Sequence, residues 1–194
     1  MRGVLIAFEG LDQSGKQTQA ERLKAALEAR GRQAVLLDFP SYETHIGQEI
    51  GAALQGTRDY GPDTMQLLYV ANRYEKKPQI EALLAGGAAV ICDRYLASSI
   101  AYGEAQDLDG AWLRDMQKFL PAPDLTILLD IAPQTAASRK TANRDKYERD
   151  LALLSRVRES YSRQAAAGGW LRLDGERAKD VVAADVQQAV FSLL

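Results

Sequence analysis

The chain reads as an α/β domain with three layers, a five-stranded parallel sheet covered by helices on both faces. Three observations predict this. Val4–Phe8, Ala34–Asp38, Ala88–Asp93 and Leu125–Asp130 are apolar almost throughout, as strands buried on both faces are. Helical patterns separate them, supplying the crossovers a parallel sheet needs. A glycine-containing turn, Gly10–Lys16, joins the first strand to the first helix.

Each element follows in turn. Val4–Phe8 is followed, after Glu9, by Gly10, and Lys16 to about Arg30 repeats apolar residues at helical spacing through Ala20, Leu23 and Leu27, with Gly31 as the stop. Ala34–Asp38 is the second strand, closed by Pro40. Helices are expected over Ile46–Leu54 and over Pro62–Lys76, whose proline suits the first turn. Ala88–Asp93 and Leu125–Asp130 are the next strands. Further helices are expected over Asp109–Leu120, Pro133–Lys140 and Arg149–Ala167. Trp170–Asp174 alternates in polarity, which suits a less buried strand, and a last helix spans about Ala178–Leu194. No repeat or linker divides the 194 residues, so one domain is expected.

Composition excludes several classes of function. A net charge of −2 offers no global attraction for nucleic acid or an anionic membrane. One cysteine, Cys92, cannot form an intrachain disulfide, and with one histidine, His45, a His/Cys zinc site is not expected. No apolar run reaches membrane-spanning length. Glu9 interrupts the N-terminal apolar run too early for a secretory signal, so a cytoplasmic protein is expected.

In an open parallel sheet the ligand crevice lies beyond the carboxyl ends of the strands. Glu9, Asp12, Asp38, Asp93, Arg94 and Asp130 end strands or follow them, and are expected to converge there. Within Gly10-Leu11-Asp12-Gln13-Ser14-Gly15-Lys16 the spacing is that of a phosphate-binding loop. Backbone N–H groups would cradle phosphate, aided by the positive end of the following helix. Gly15 allows close approach and Lys16 adds charge at the β- and γ-phosphates. The next position ordinarily carries a hydroxyl that reaches Mg²⁺, but here it is Gln17. Thr18 is turned about 100° away around the helix and cannot simply replace it. The Gln17 amide oxygen can take a hard cation or its water.

Four stretches together resemble the thymidylate kinase family of P-loop nucleoside monophosphate kinases: "FEGLDQSGKQTQAERL", "MQLLYVANRYEKKPQI", "ICDRYLASSIAY" and "PAPDLTILLDIAPQTAASRKTANRDKYE". The resemblance runs from about residue 4 to residue 174. It implies a P-loop NTPase fold with a mobile lid near residues 139–149, phosphorylation of dTMP to dTDP with ATP and Mg²⁺, and a homodimer. It implies that Tyr69 stacks on thymine and that Arg73, one turn later, hydrogen-bonds the base. Ser98 falls at the base-contacting polar position, and Tyr102 packs against the sugar to favour deoxynucleotides. Asp12 meets the 3′-hydroxyl, Phe39–Pro40 lies beside the acceptor, and Tyr147 and Glu148 close the acceptor end of the lid. Asp93 would hold a metal-bound water while Arg94 clamps phosphate. Glu9 either tunes the phosphate site, with a possible hand in the metal, or is a solvated strand end. Some members place an arginine shortly after the Phe-Pro turn, where this chain has Tyr42. Position 13 is Gln, so the transition-state cation is expected from the lid, as Arg139, Arg144 or both. The rival readings are a kinase for another nucleoside monophosphate and a nucleotide-binding regulatory protein, which Gln17 favours.

Overall fold

In the computed structural model, residues 2–139, 147 and 150–194 are described. Five parallel strands, β1 (Val4–Glu9), β2 (Ala34–Asp38), β3 (Ala89–Asp93), β4 (Leu125–Asp130) and β5 (Leu171–Asp174), form one sheet in the order β2-β3-β1-β4-β5. β1 is central and buried along its whole length. Its residues alternate between two cores, as a period of two requires. Val4, Ile6 and Phe8 pack with Leu23 and Leu27 of α1 (Lys16–Glu28) and with Val186 and Val190 of α8 (Lys179–Leu193). Leu5 and Ala7 face the opposite side with Ile80 of α3 (Pro62–Ala85) and Tyr95.

The remaining helices are α2 (His45–Leu54), α4 (Leu96–Glu104), α5 (Gly110–Asp115), α6 (Pro133–Arg139) and α7 (Leu151–Gly168). α4 and α7 pack together through Ala97, Ala101, Leu154, Val157 and Tyr161. That contact brings the segment after β3 against a helix some sixty positions later in the chain. No helix among the described residues is long and apolar enough to cross a membrane.

Three expectations change. α3 does not stop at Lys76 but continues through Pro78 to Ala85. Pro78 removes one helical hydrogen bond, yet it is exposed, where water satisfies the released carbonyl, and Ile80 beyond it is buried. α5 ends at Asp115 rather than Leu120, the chain passing into turns. α4 was not expected as an element at all. Ala97, Ser98, Ser99, Ile100, Ala101 and Gly103 are all buried, and a helix covered on every side has no amphipathic stripe to betray it.

Candidate active site

The phosphate-loop motif folds as a tight turn between β1 and α1. Gly10 has φ 138°, and a Cβ there would lie 2.4 Å from the Leu129 carbonyl oxygen, so only glycine fits. Gly15 (φ 96°) caps α1 in the left-handed region, and Gln13 adopts φ 64° between them. Lys16 is buried, its Nζ donating to the Leu11 carbonyl at 2.9 Å. Burial, followed by the nearby charge of Arg94, lowers its pKa from the usual lysine value. Gln17 is exposed and donates its Nε2 to Glu21 at 3.0 Å, one turn along the helix.

Two cavities flank this loop. The first lies between Ser14, Gly15 and Thr18 and the turn after β5, with Arg139, Arg177 and Lys179 on its walls. Arg139 Nη1 donates to the Gln13 carbonyl at 3.0 Å and to that of Gly175 at 3.2 Å. Arg139 thus spans the loop and the β5–α8 turn.

The second cavity opens between α3, α4 and the segment after β2. Of the residues expected at an acceptor, Asp12, Phe39, Pro40, Tyr69, Arg73, Arg94, Ser98, Tyr102 and Tyr147 all line it, as do Tyr42, Leu54, Gln66 and Ser99. Asn72, on the same helix, is turned away. It accepts from Ser41 N at 2.7 Å and donates to Thr44 Oγ1 at 2.9 Å, fastening the β2–α2 loop to α3.

Arg94 sits at the centre. Its backbone N–H donates to the Phe8 carbonyl at 2.9 Å, and its φ of 63° is unusual for a residue with a side chain. This turn directs the guanidinium into the cavity, where Nη2 meets Asp12 at 2.8 Å and the Tyr102 hydroxyl at 3.3 Å. Nη1 donates to Ser98 Oγ at 3.1 Å and to Tyr161 Oη at 3.2 Å. Burial opposes its charge, but Asp12, Tyr102 and Tyr161 together hold its pKa well above the usual arginine value.

Glu9 is not a solvated strand end. It is 0% exposed, accepting from Tyr95 N at 2.9 Å, Ser98 Oγ at 2.6 Å and Tyr161 Oη at 3.1 Å. With its oxygens committed to those donors, it braces the Arg94 turn and is not placed to hold a metal. The expectation for Ser98 changes for the same reason, because its hydroxyl is turned to Glu9, Tyr161 and Arg94. Ser99, the next residue, meets Arg73, whose Nη1 donates to its Oγ at 2.6 Å. Asp130 does not join the crevice. Arg158 at 2.7 Å and Arg172 at 2.6 Å bind it on the β5 side, and although burial raises its pKa, these two hydrogen bonds bring it below the usual carboxylate value.

Asp38 and Asp93 stand in register at the ends of neighbouring strands. Burial, then the charge of Asp93, raises the Asp38 pKa, and Asp93 has no side-chain hydrogen bond among the described residues. Two adjacent carboxylates of this kind suit Mg²⁺, which commonly takes one or two carboxylates and fills its shell with water and phosphate. Tyr147 is buried and meets Tyr102 edge-on at 5.8 Å between ring centroids. Lys140, Arg144, Lys146 and Glu148 lie outside the described residues.

Gln66, Ser99 and Tyr161 were not anticipated. Gln66 precedes Tyr69 by three residues and Arg73 by seven, a spacing that puts all three on one helix face and could have revealed it. Nothing local marks Tyr161, which is 152 positions from its partner Glu9.

A family profile described as Thymidylate kinase matches residues 8–186. Among relatives, a thymidylate kinase of Arabidopsis thaliana is 36% identical over 190 residues, covering 98% of this chain and 72% of its own. One of Homo sapiens is 37% identical over 148 residues, covering 76% of this chain and 70% of its own. The solved structure of thymidylate kinase from Candida albicans superposes with a TM-score of 0.87 at 30% identity, covering 98% of this chain and 92% of that one.

Proposed function

This chain belongs to the thymidylate kinase family, and we infer from that membership and the site's geometry that it phosphorylates dTMP with ATP, giving dTDP and ADP. The observation that carries the reading is the pair of cavities on either side of one phosphate loop, with Arg94 facing the second. A donor and an acceptor nucleotide placed there would meet end to end at the carboxyl edge of β1 and β3.

The roles follow from position. ATP occupies the Arg139 cavity, its phosphates on the loop's backbone N–H groups and Lys16, with Gln13, Ser14, Gly15, Gln17 and Thr18 around them. dTMP occupies the other, its base against Tyr69 and Arg73, its sugar between Asp12 and Tyr102, and its phosphate on Arg94 beside Phe39 and Pro40. An acceptor phosphate oxygen attacks the γ-phosphorus in line as the bond to the β-phosphate oxygen breaks, and ADP leaves. A phosphate acceptor needs no strong base, so the protein's task is alignment and cationic stabilisation. Arg94 presents a planar fork that suits three equatorial oxygens. The transition-state cation would come from the lid, as Arg139, which already reaches the loop's Gln13 carbonyl, as Arg144, or as both.

Mg²⁺, when bound, would neutralise charge on the β- and γ-phosphates. Asp93, with Asp38 beside it, is the residue fitted to hold it through water; Gln17, exposed and held to Glu21 through its Nε2, would add at most a weak amide-oxygen contact from the loop. A single kinase domain over residues 1–194 with a lid near 139–149, a homodimer and cytoplasmic residence belong to the same proposal.

The test is ADP formation from ATP and Mg²⁺ with dTMP, dUMP, dCMP, dGMP and UMP. Selective turnover of dTMP is expected. ATP binding without turnover of any acceptor would sink the kinase reading in favour of a nucleotide-binding regulatory protein.

A further inference from the structure

We propose that Gln66 is a specificity-determining residue, its side-chain amide reading the imide edge of the acceptor's pyrimidine base jointly with Arg73. The inference rests on the dTMP kinase reading and deepens it.

Gln66 lines the acceptor cavity and is 0% exposed. Neither its Oε1 nor its Nε2 has a hydrogen-bond partner among the described residues. Buried polar groups are paired in the great majority of cases, and leaving one unpaired carries the full desolvation penalty. An amide with both ends unpaired therefore marks a position where the protein keeps a donor and an acceptor for something else. A leucine or methionine would fill the same volume without that penalty.

The neighbouring groups narrow what that something is. Arg73 is also buried in this cavity, and its Nε–H is likewise without a partner. Its hydrogen bond to Ser99 occupies Nη1 alone among the described contacts. Gln66, Tyr69 and Arg73 lie on one face of α3, so the amide and the guanidinium flank a base stacked on Tyr69. Together they offer one acceptor, Gln66 Oε1, and two kinds of donor, Gln66 Nε2 and Arg73 Nε. Thymine and uracil present the complementary set: the N3–H donor with a carbonyl on either side. Cytosine replaces N3–H by a bare acceptor and O4 by an amine, leaving Oε1 to find its donor at a different atom while Arg73 loses a carbonyl. A site that buries groups for hydrogen bonding rejects strongly the ligand that lacks their partners.

The experiment measures initial rates for the wild type and Gln66→Met with dTMP and with dTMP methylated at N3, which has no N3–H to donate. Wild type is expected to lose about 10- to 100-fold in kcat/KM on N3-methylation, the range of one unpaired buried group. Gln66→Met should raise KM for dTMP by a similar factor, leave KM for ATP within about 2-fold, and remove most of the N3-methyl penalty. An unchanged KM for dTMP, or a penalty of undiminished size in the variant, would overturn the assignment. Gln66→Leu, measured alongside with thermal unfolding, guards against a folding defect. Both variants should melt no lower than wild type, because an unpaired buried amide is being removed. Wild-type protein inert on dTMP would instead bring down the kinase reading, and this assignment with it.

Discussion

Two arginines line one cavity and are held in opposite ways. Arg94 is held by protein through both Nη atoms, which meet the Asp12 carboxylate and the hydroxyls of Ser98, Tyr102 and Tyr161. Arg73, more deeply buried, has a single hydroxyl at Nη1 and an unpartnered Nε. The charge environments follow suit. Asp12 and the two phenols more than offset burial at Arg94, whereas at Arg73 burial outweighs the distant attraction of Glu9 and pulls the pKa down. Arg94 is preorganised, in one position before any substrate arrives, as stabilisation of a transition state requires. Arg73 is left under-satisfied, so that a ligand gains by supplying what the fold withholds. On the proposed reading, one residue aligns the chemistry and the other selects what reacts.

The comparison makes its largest prediction at Arg94. Arg94→Ala should lower kcat by about 10³-fold or more, the scale of cations that stabilise transferring phosphoryl groups. It should also lower the melting temperature, since breaking a buried pair costs about 3–5 kcal/mol and takes the guanidinium from Asp12. That figure is an upper bound, because Asp12 is about one-third exposed. Arg94→Lys should recover little activity, one ammonium being unable to reach both the Asp12 and the Ser98–Tyr161 sides. Steady-state kinetics with thermal unfolding reads both effects.

Arg73→Met should divide the same two readouts differently. KM for dTMP should rise by roughly 100-fold, as when a charged hydrogen-bond donor to the ligand is lost, while kcat falls less. The melting temperature should hold or rise, because no described carboxylate is orphaned when this guanidinium goes. If Arg73→Met unfolded the protein and Arg94→Ala did not, the proposed division between the two residues would be wrong.

What the sequence made legible divides along the same line. The strands announced themselves because a run buried on both faces must be apolar, and the phosphate loop did so because glycines at positive φ have few substitutes. On the acceptor face of α3, Tyr69 and Arg73 were legible through the family resemblance, with which their i, i+4 spacing agrees, while Gln66 went unread. The brace behind Arg94 was not. α4 has no polar face to set its phase, so Ser98 and Ser99 could not be told apart, although one residue is a turn of about 100°. Glu9 looked like an ordinary strand-end carboxylate, and its buried role depends on Tyr161, contributed by a helix near the other end of the chain.

Tyr161→Phe sharpens the comparison at smaller scale. It removes one hydroxyl from the network of Glu9, Ser98 and Arg94 while keeping the ring in the α4–α7 core. A stability loss of about 1 kcal/mol is expected for one buried hydrogen bond. Because Arg94 keeps Asp12, kcat should fall by only about 10-fold, with KM for dTMP nearly unchanged. A larger change in KM than in kcat would show that Tyr161 serves the base rather than Arg94.

The smallest effect belongs to Gln17, which lies outside both arginine environments. The loop's main donors are backbone N–H groups and Lys16, and neither depends on the side chain at position 17. In the structure that side chain is spent on Glu21 along an exposed face, a bond worth about 0.2–0.5 kcal/mol. Gln17→Ser gives up that small term and places a hydroxyl at the start of α1, within reach of a cation on the phosphates. The gain is that of one added hydrogen bond or ligand, so kcat/KM for MgATP should rise by about 2- to 10-fold, most visibly at low Mg²⁺. KM for dTMP should stay put. A Mg²⁺ titration of the initial rate measures both. If the serine variant were slower at every Mg²⁺ concentration, Gln17 would itself be the loop's contribution to the metal, and the amide oxygen, rather than Asp93 with water alone, would carry it.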